Sequence, residues 1–251
     1  MRARPLVQLL DVVKTFGSVT ALDGVSLDIS EGTSTALIGG NGAGKTTLLR
    51  ILAGVYRPTS GTATLGDGAI VDHRRNIGVM TESTGLHVRL TAWENIRFHA
   101  RLFDVPDGIA RVRTEAIAGP LGMLGALDRR TEGFSRGMRQ KTALLRALVH
   151  EPALLLLDEP TAGLDITSAR AVRQLIEDLV EQGRGVVWST HDLAAAAVCD
   201  QIVLLHNARI VANGVLSDLL EEAGVPDLDA LHLHHTVEAT REFLEGAELV
   251  Q

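Results

Sequence analysis

The chain has 251 residues, of which 45% are apolar and 22% are charged, a balance that supports a folded core and argues against disorder. Its formal net charge of −7 argues against nucleic acid as a partner, because such binding needs a broad basic face. The single cysteine, Cys199, excludes an intrachain disulfide. The longest apolar run near the centre, Ala153–Leu157, is far shorter than the roughly 20 residues that cross a bilayer, so no membrane span is expected.

The N-terminal third is predicted to contain short strands and one helix around a glycine-rich loop. Apolar stretches bounded by turn residues predict the strands, and leucines at helical spacing predict the helix. The predicted strands are Leu6–Val13, Val25–Ile29, Thr33–Ile38, Thr62–Leu65 and Ile77–Met80, and the predicted helix is Lys45–Ala53.

The middle of the chain has a different character and is predicted to be a helical insertion. From about Thr91 to His150 apolar residues recur at helical spacing, and glycine and proline interrupt the pattern. Helices are predicted at Arg111–Ala118 and Arg136–Leu148.

Strands and helices then alternate, which predicts a parallel sheet covered by helices. The predicted strands are Ala153–Leu157, Gly185–Ser189, Ile202–Leu205 and Ala208–Val211, and the predicted helices are Ser168–Gln182 and Leu193–Val198. The acidic tail is expected to form an amphipathic helix with Leu228, Leu231 and Leu233 facing inward. The loose spacing of His232, His234 and His235, without a cysteine or a nearby acid cluster, favours this helix over a metal site.

A phosphate-binding loop is the most specific motif in the sequence. It follows a predicted strand, precedes a predicted helix and runs Gly39, Gly40, Asn41, Gly42, Ala43, Gly44, Lys45 and Thr46, with Thr47 next to it. Glycines allow backbone N–H groups to approach phosphate oxygens closely. Lys45 is predicted to bind the β- and γ-phosphates of ATP, and the Thr46 hydroxyl to bind Mg²⁺.

Two acids end a strongly apolar strand. Asp158 and Glu159 follow four leucines, and ligands in open α/β sheets bind beyond the carboxyl ends of strands. Asp158 is therefore predicted to hold Mg²⁺ and Glu159 to activate an attacking water.

These motifs resemble the ATP-binding subunit of an ABC transporter over nearly the whole chain. Phe134-Ser135-Arg136-Gly137-Met138 is similar to the signature motif of that family, and Ala162-Gly163-Leu164-Asp165 is similar to its loop between subunits. His191 stands at the position of the switch histidine. The resemblance implies an α/β phosphate-loop ATPase core, with an N-terminal antiparallel part at one end and a helical subdomain at about 83–150. The ATP-binding domain would span 1–220, with a helical extension at 221–251.

The resemblance also implies a head-to-tail dimer with a second copy or a homologous ATPase. In the family the signature motif of one subunit faces the phosphate loop of the other, so Ser135 and Gly137 would contact ATP bound by the partner. Glu159 would be the catalytic base, and His191 would link it to the γ-phosphate.

Two positions depart from the family pattern. Phe16 stands where a tyrosine usually stacks on adenine, and a phenyl ring retains the stacking while losing the hydroxyl. Glu82 stands where glutamine is usual. A carboxylate near the γ-phosphate is repelled unless Mg²⁺ lies between them, so Glu82 is predicted to be a metal-site or coupling residue, with a solvated loop acid as the alternative.

The segments 85–95 and 134–141 resemble those of drug, sodium and polysaccharide export ATPases. This likeness implies a separate transmembrane permease as partner and a peripheral location on the cytoplasmic face of the cell membrane. An ATPase of cytochrome c maturation or lipid trafficking, or a soluble ABC ATPase without a transport role, is the alternative.

Overall fold

The computed structural model describes residues 5–236 and consists of two sheets flanked by helices. The strands are β1 (Val7–Phe16), β2 (Val19–Ile29), β3 (Ser34–Gly39), β4 (Ser60–Leu65), β5 (Gly68–Ala69), β6 (Ile77–Met80), β7 (Leu154–Asp158), β8 (Gly185–Ser189), β9 (Gln201–His206) and β10 (Arg209–Gly214). The helices are α1 (Lys45–Leu52), α2 (Ala92–Leu102), α3 (Asp107–Ala118), α4 (Arg136–Leu148), α5 (Ile166–Glu181), α6 (Leu193–Ala196) and α7 (Leu216–Ala223), and residues 228–236 are helical as well.

The larger sheet has the order β10-β9-β3-β8-β7-β6. Its strands pair in parallel except for β10, which runs antiparallel to β9. The smaller sheet is antiparallel, with the order β2-β1-β4-β5. Helices α2, α3 and α4 lie between β6 and β7 in the sequence. The α/β core with its antiparallel part and its helical insertion is the predicted fold class, which is confirmed.

The apolar strand β7 separates two hydrophobic clusters. Leu154 and Leu156 pack into the cluster shared with the antiparallel sheet and α1. Leu155 and Leu157 pack into the cluster shared with the helical insertion, α5 and the C-terminal helices. Successive strand residues point to opposite faces, so a continuous apolar run is required where both faces are covered. Burial of each leucine side chain contributes roughly 1.5–3 kcal/mol to the stability of the folded state.

Several element boundaries differ from the sequence prediction. Strand β2 begins at Val19 rather than Val25, because it pairs with β1 from the tight turn onward, with Phe16 opposite Val19. Helix α3 begins at Asp107 rather than Arg111, directly after Pro106. Proline fixes φ near the helical value and is well tolerated at a helix start, whereas Gly108 weakens the helical pattern in the sequence.

The tail prediction is partly wrong. Leu228 and Leu231 are buried in the same core as α7, but Leu233 has 64% of its surface exposed. Residues three apart share a helix face, whereas residues two apart do not, so Leu233 points away from the face that Leu228 and Leu231 bury. Helix α7 also runs across the expected domain boundary after residue 220. Within residues 5–236, no helix combines the length and the apolar character that crossing a membrane requires.

Candidate functional site

A cavity of about 430 Å³ lies where the carboxyl ends of β3, β7 and β8 meet. Parallel strands end at one edge of the sheet, so residues that are distant in sequence converge there. The predicted residues that line the cavity are Gly40, Asn41, Gly42, Gly44, Lys45, Thr46, Thr47, Glu82, Asp158, Glu159 and His191. Gly39 and Ala43 belong to the same loop but are buried.

The glycines at both ends of the loop are required by close backbone contacts. Gly44 has φ +111°, and a Cβ at this residue would lie 2.6 Å from the carbonyl oxygen of Ala21. A Cβ at Gly39 would lie 2.4 Å from the carbonyl oxygen of Leu205. Helix α1 begins directly after Gly44, where no side chain caps it. Its first N–H groups are therefore available to an anion, and the helix dipole favours negative charge at this end.

Lys45 is folded back onto the loop that it follows. Its Nζ donates hydrogen bonds to the carbonyl oxygens of Gly39 (2.5 Å) and Gly40 (3.0 Å). Burial lowers the pKa of Lys45, and the nearby charges of Glu159 and Asp158 oppose that shift. The loop thus holds a cation on the side of the cavity that faces the two carboxylates.

Ser189 at the end of β8 holds the acidic pair, and sequence reasoning missed it. Its Oγ donates a hydrogen bond to Asp158 Oδ1 (2.6 Å) and accepts one from the Glu159 backbone N–H (3.0 Å). Ser189 is fully buried and is the register partner of Asp158 in the parallel pair β7–β8. A polar residue at the end of a predicted neighbouring strand was the signal that could have identified it.

Glu159 and His191 lie together at the opening of the site. His191 Nε2 is 3.4 Å from Glu159 Oε1, and the side chains are 60% and 17% exposed, respectively. Burial raises the pKa of Glu159, while the charge of His191 lowers it. A carboxylate with a raised pKa binds a proton more strongly and is therefore a stronger base. General-base catalysis is most efficient when the pKa of the base approaches the working pH.

Thr46 and Asp158 supply the chemistry that a magnesium site needs. Thr46 is exposed at the start of α1, and both residues line the cavity. Hard cations such as Mg²⁺ take hydroxyl, carboxylate, water and phosphate oxygens rather than a complete protein cage. Glu82 lines this cavity and also the neighbouring hollow beside α1. The donor set fits Mg²⁺.

Phe16 lies at the margin of the cavity rather than in its lining. It ends β1 with 44% of its surface exposed, and its register partner Val19 does line the cavity. Its ring meets the ring of Tyr56 edge to face, with centroids 5.3 Å apart. Lys14 Nζ lies 5.0 Å and 5.5 Å from the two ring centroids. Sequence reasoning proposed Phe16 as the residue that stacks on adenine, which stays a prediction, and it missed the Tyr56 ring in contact with Phe16.

Ser135 and Gly137 lie outside the cavity lining, at the start of α4. Ser135 is the exposed N-cap, and its Oγ accepts a hydrogen bond from the Met138 backbone N–H (3.2 Å). A Cβ at Gly137 would lie 3.0 Å from Leu164 Cδ2. The Arg136 side chain covers Gly163, where a Cβ would come within 3.1 Å of it. A single chain therefore keeps the Ser135 side chain exposed, outside the cavity that its own phosphate loop lines.

Sequence comparison identifies relatives for most of the chain. A family model described as "ABC transporter" matches residues 22–162. The chain is 36% identical over 225 residues to the ABC transporter ATP-binding protein NatA of Bacillus subtilis, covering 87% of this chain and 92% of that protein. It is 36% identical over 215 residues to the cobalt import ATP-binding protein CbiO of Rhodobacter capsulatus, covering 82% of this chain and 77% of that protein.

A similar structure carries the products of ATP hydrolysis. It is an ATP-binding cassette solved as a dimer in a post-hydrolysis state, bound to ADP and Pi. It matches with a TM-score of 0.77 and 27% sequence identity, covering 83% of this chain and 98% of that chain. The similarity thus extends over most of the fold and all but a small part of the matched cassette.

Proposed function

Because this chain belongs to the ABC transporter family, as an ATP-binding subunit that hydrolyses ATP, we propose that it powers export of a substrate through a separate membrane permease. It works in a head-to-tail dimer, held at the cytoplasmic face of the membrane by that permease. The observation that supports the ATPase part of the proposal is one cavity that brings Lys45, Asp158, Glu159 and His191 together.

The phosphate loop holds the triphosphate of ATP. Backbone N–H groups at the start of α1 face the phosphate oxygens, and Lys45 exchanges its carbonyl contacts within the loop for the β- and γ-phosphates. Thr46 and Asp158 hold Mg²⁺, with Glu82 beside them, and this cation when bound neutralises charge on the phosphates.

Glu159 acts as the base that takes a proton from the attacking water. Burial raises the pKa of Glu159, which makes its carboxylate a stronger base. His191, 3.4 Å from the carboxylate, orients Glu159 and reaches the γ-phosphate. Ser189 fixes the backbone of Glu159 while it holds Asp158, so the two acids keep separate roles.

The dimer supplies the donors that a single chain lacks. Ser135 is exposed at the start of α4, and a hydroxyl beside a helix N-terminus suits a phosphate group. A relative of similar fold is dimeric with ADP and Pi bound. In the proposed dimer Ser135 and Gly137 of one copy meet the γ-phosphate held by the other copy.

Export is favoured by segments 85–95 and 134–141. Import is the second candidate, because the cobalt import subunit is as similar in sequence as NatA. Both share the ATPase chemistry and differ in the permease.

Recovery of the permease tests the proposal. Tagged Glu159→Gln protein is purified from its own cells in detergent with Mg-ATP, using Glu222→Gln as a control on the exposed face of α7. We expect a polytopic membrane protein to be enriched with the first variant. Reconstituted with the wild-type ATPase in inside-out vesicles, it should accumulate substrate in the lumen when ATP is added outside. Recovery of soluble partners alone would overturn the transport proposal, and ATP-driven release from the lumen would indicate import.

A further inference from the structure

Glu159 has a backbone conformation that its surroundings must hold in place. Its φ is +52°, in the left-handed region that residues with a side chain rarely adopt. Such conformations persist only where neighbouring groups determine them, and they concentrate at functional sites. Glu159 also follows β7 directly, so its own strand no longer fixes it.

Two buried side chains form hydrogen bonds with the backbone of Glu159, one with its N–H group and one with its carbonyl oxygen. Ser189 Oγ accepts a hydrogen bond from its N–H (3.0 Å). Gln140 Nε2 donates a hydrogen bond to its carbonyl oxygen (3.1 Å). Ser189 is fully buried and Gln140 is 4% exposed. The first side chain comes from the central sheet and the second from α4 in the helical insertion.

Packing alone does not account for a glutamine at position 140. Its Oε1 is buried without a hydrogen-bond partner in the described structure, and an orphaned buried acceptor is destabilising. A leucine or methionine would fill similar space without that penalty. The amide is accounted for by its Nε2, which is directed at the Glu159 carbonyl.

We infer that Gln140 is a positioning residue for Glu159, acting through the backbone carbonyl rather than by contact with ATP. The inference rests on the proposed role of Glu159 as the base. Helix α4 is capped by Ser135 and contacts the Glu159 backbone through Gln140. The helix that presents the signature residues therefore also sets the orientation of the carboxylate in its own chain.

The test compares Gln140→Leu and Gln140→Met with Thr142→Val in the full-length protein. Thr142 is buried on the same helix, and its hydroxyl donates a hydrogen bond to the Met138 carbonyl oxygen within α4 (2.8 Å). Thermal unfolding, kcat and KM for Mg-ATP are measured for each variant. Small misplacements of catalytic groups cost up to about 100-fold in rate. We expect kcat to fall at least about tenfold in both Gln140 variants, while KM and unfolding temperature stay close to wild type. Thr142→Val should keep the wild-type kcat.

A double variant separates this inference from the proposed function. If Gln140 acts through Glu159, adding Gln140→Leu to Glu159→Gln should leave the residual turnover unchanged, because coupled residues are not additive. Two results would overturn the inference: a wild-type kcat in both Gln140 variants, or a further loss in the double variant equal to that of Gln140→Leu alone. Wild-type turnover in Glu159→Gln alone would instead overturn the proposed role of Glu159.

Discussion

The cavity at the end of the sheet and the start of α4 are the two regions proposed to bind phosphate, and they differ in completeness. The cavity collects a loop with its lysine, two acids and a histidine from the ends of β3, β7 and β8 of one chain. The start of α4 presents the exposed Ser135, with the half-buried Gly137 in its first turn, outside that cavity. One chain thus gathers the groups proposed to bind ATP in a cavity, whereas the proposed dimer draws its remaining donors from a second copy.

The two regions also use different means of presenting donors. At α1 the cap is Gly44 and no side chain satisfies the first turn, so backbone N–H groups are free for phosphate. At α4 the Ser135 Oγ already accepts from Met138 N–H, yet its hydroxyl proton can still be donated. Substitutions at each region should therefore separate binding from turnover.

The largest effect is expected from Glu159→Gln. Removal of the base should lower turnover about 100- to 10,000-fold, while ATP binding is retained, because the phosphate loop is unchanged. Steady-state hydrolysis and equilibrium binding of ATP check both parts, with Glu222→Gln as the surface control. Turnover at the wild-type level would remove Glu159 from the chemistry.

Ser135→Asp should abolish most turnover without weakening the helix. Aspartate is as good an N-cap as serine, but its charge at about 4 Å from a phosphate costs roughly 1–4 kcal/mol, or about 5- to 1,000-fold in rate. ATP binding by the isolated chain should be unchanged, because Ser135 lies outside its own cavity. Ser135→Ala is the matched variant. It removes the helix cap without adding a charge, so we expect the free energy of unfolding to fall by about 1 kcal/mol and turnover to fall less than in Ser135→Asp. Weakened ATP binding by monomeric Ser135→Asp would contradict the separation of the two regions.

Lys45→Ala should weaken the binding of ATP to the phosphate loop. Loss of a charge-assisted hydrogen bond costs about 1.5–3 kcal/mol, which is about a 10- to 150-fold weaker affinity. Titration of ATP against the monomer measures it. Lys141→Ala, on α4 outside the cavity lining, should bind ATP as the wild type does, and equal losses in the two variants would argue against the assignment of the loop.

The smallest effect is expected in the pH dependence of stability. Burial raises the pKa of Glu159 above its unfolded value, so the stability that its bound proton contributes is lost as pH rises through the folded pKa. Glu159→Gln lacks this loss and should unfold at a higher temperature than wild type at pH 7. The difference should vanish below about pH 4, where the glutamate of the unfolded chain is itself largely protonated. A constant difference across this range would contradict a raised pKa.

The sequence predicted the residues that line the cavity better than the residues that hold those side chains and their backbone in place. The phosphate loop, Asp158 and Glu159 each follow a predicted strand, and the carboxyl ends of parallel strands meet at one edge. Ser189 and Gln140 were missed because a serine and a glutamine carry no distinctive spacing, and their roles depend on contacts across 30 and 19 residues.

Errors in the fold had local physical causes. The start of β2 depends on pairing with β1 rather than on its own apolar pattern. Leu233 was placed inward with Leu228 and Leu231, although its position on the helix turns it toward solvent. A partner strand decided the first case, and the periodicity of the helix itself decided the second.

A mixture of two impaired variants can test whether the signature residues of one chain complete the ATP site of the other. Lys45→Ala keeps an intact signature helix, and Ser135→Asp keeps an intact phosphate loop. In a symmetric dimer each heterodimer would contain one complete site. The mixture should therefore regain about a quarter of wild-type ATPase activity, since about half the dimers are mixed and each has one of two sites. Activity no higher than that of the separate variants would show that the signature residues do not complete the partner's site.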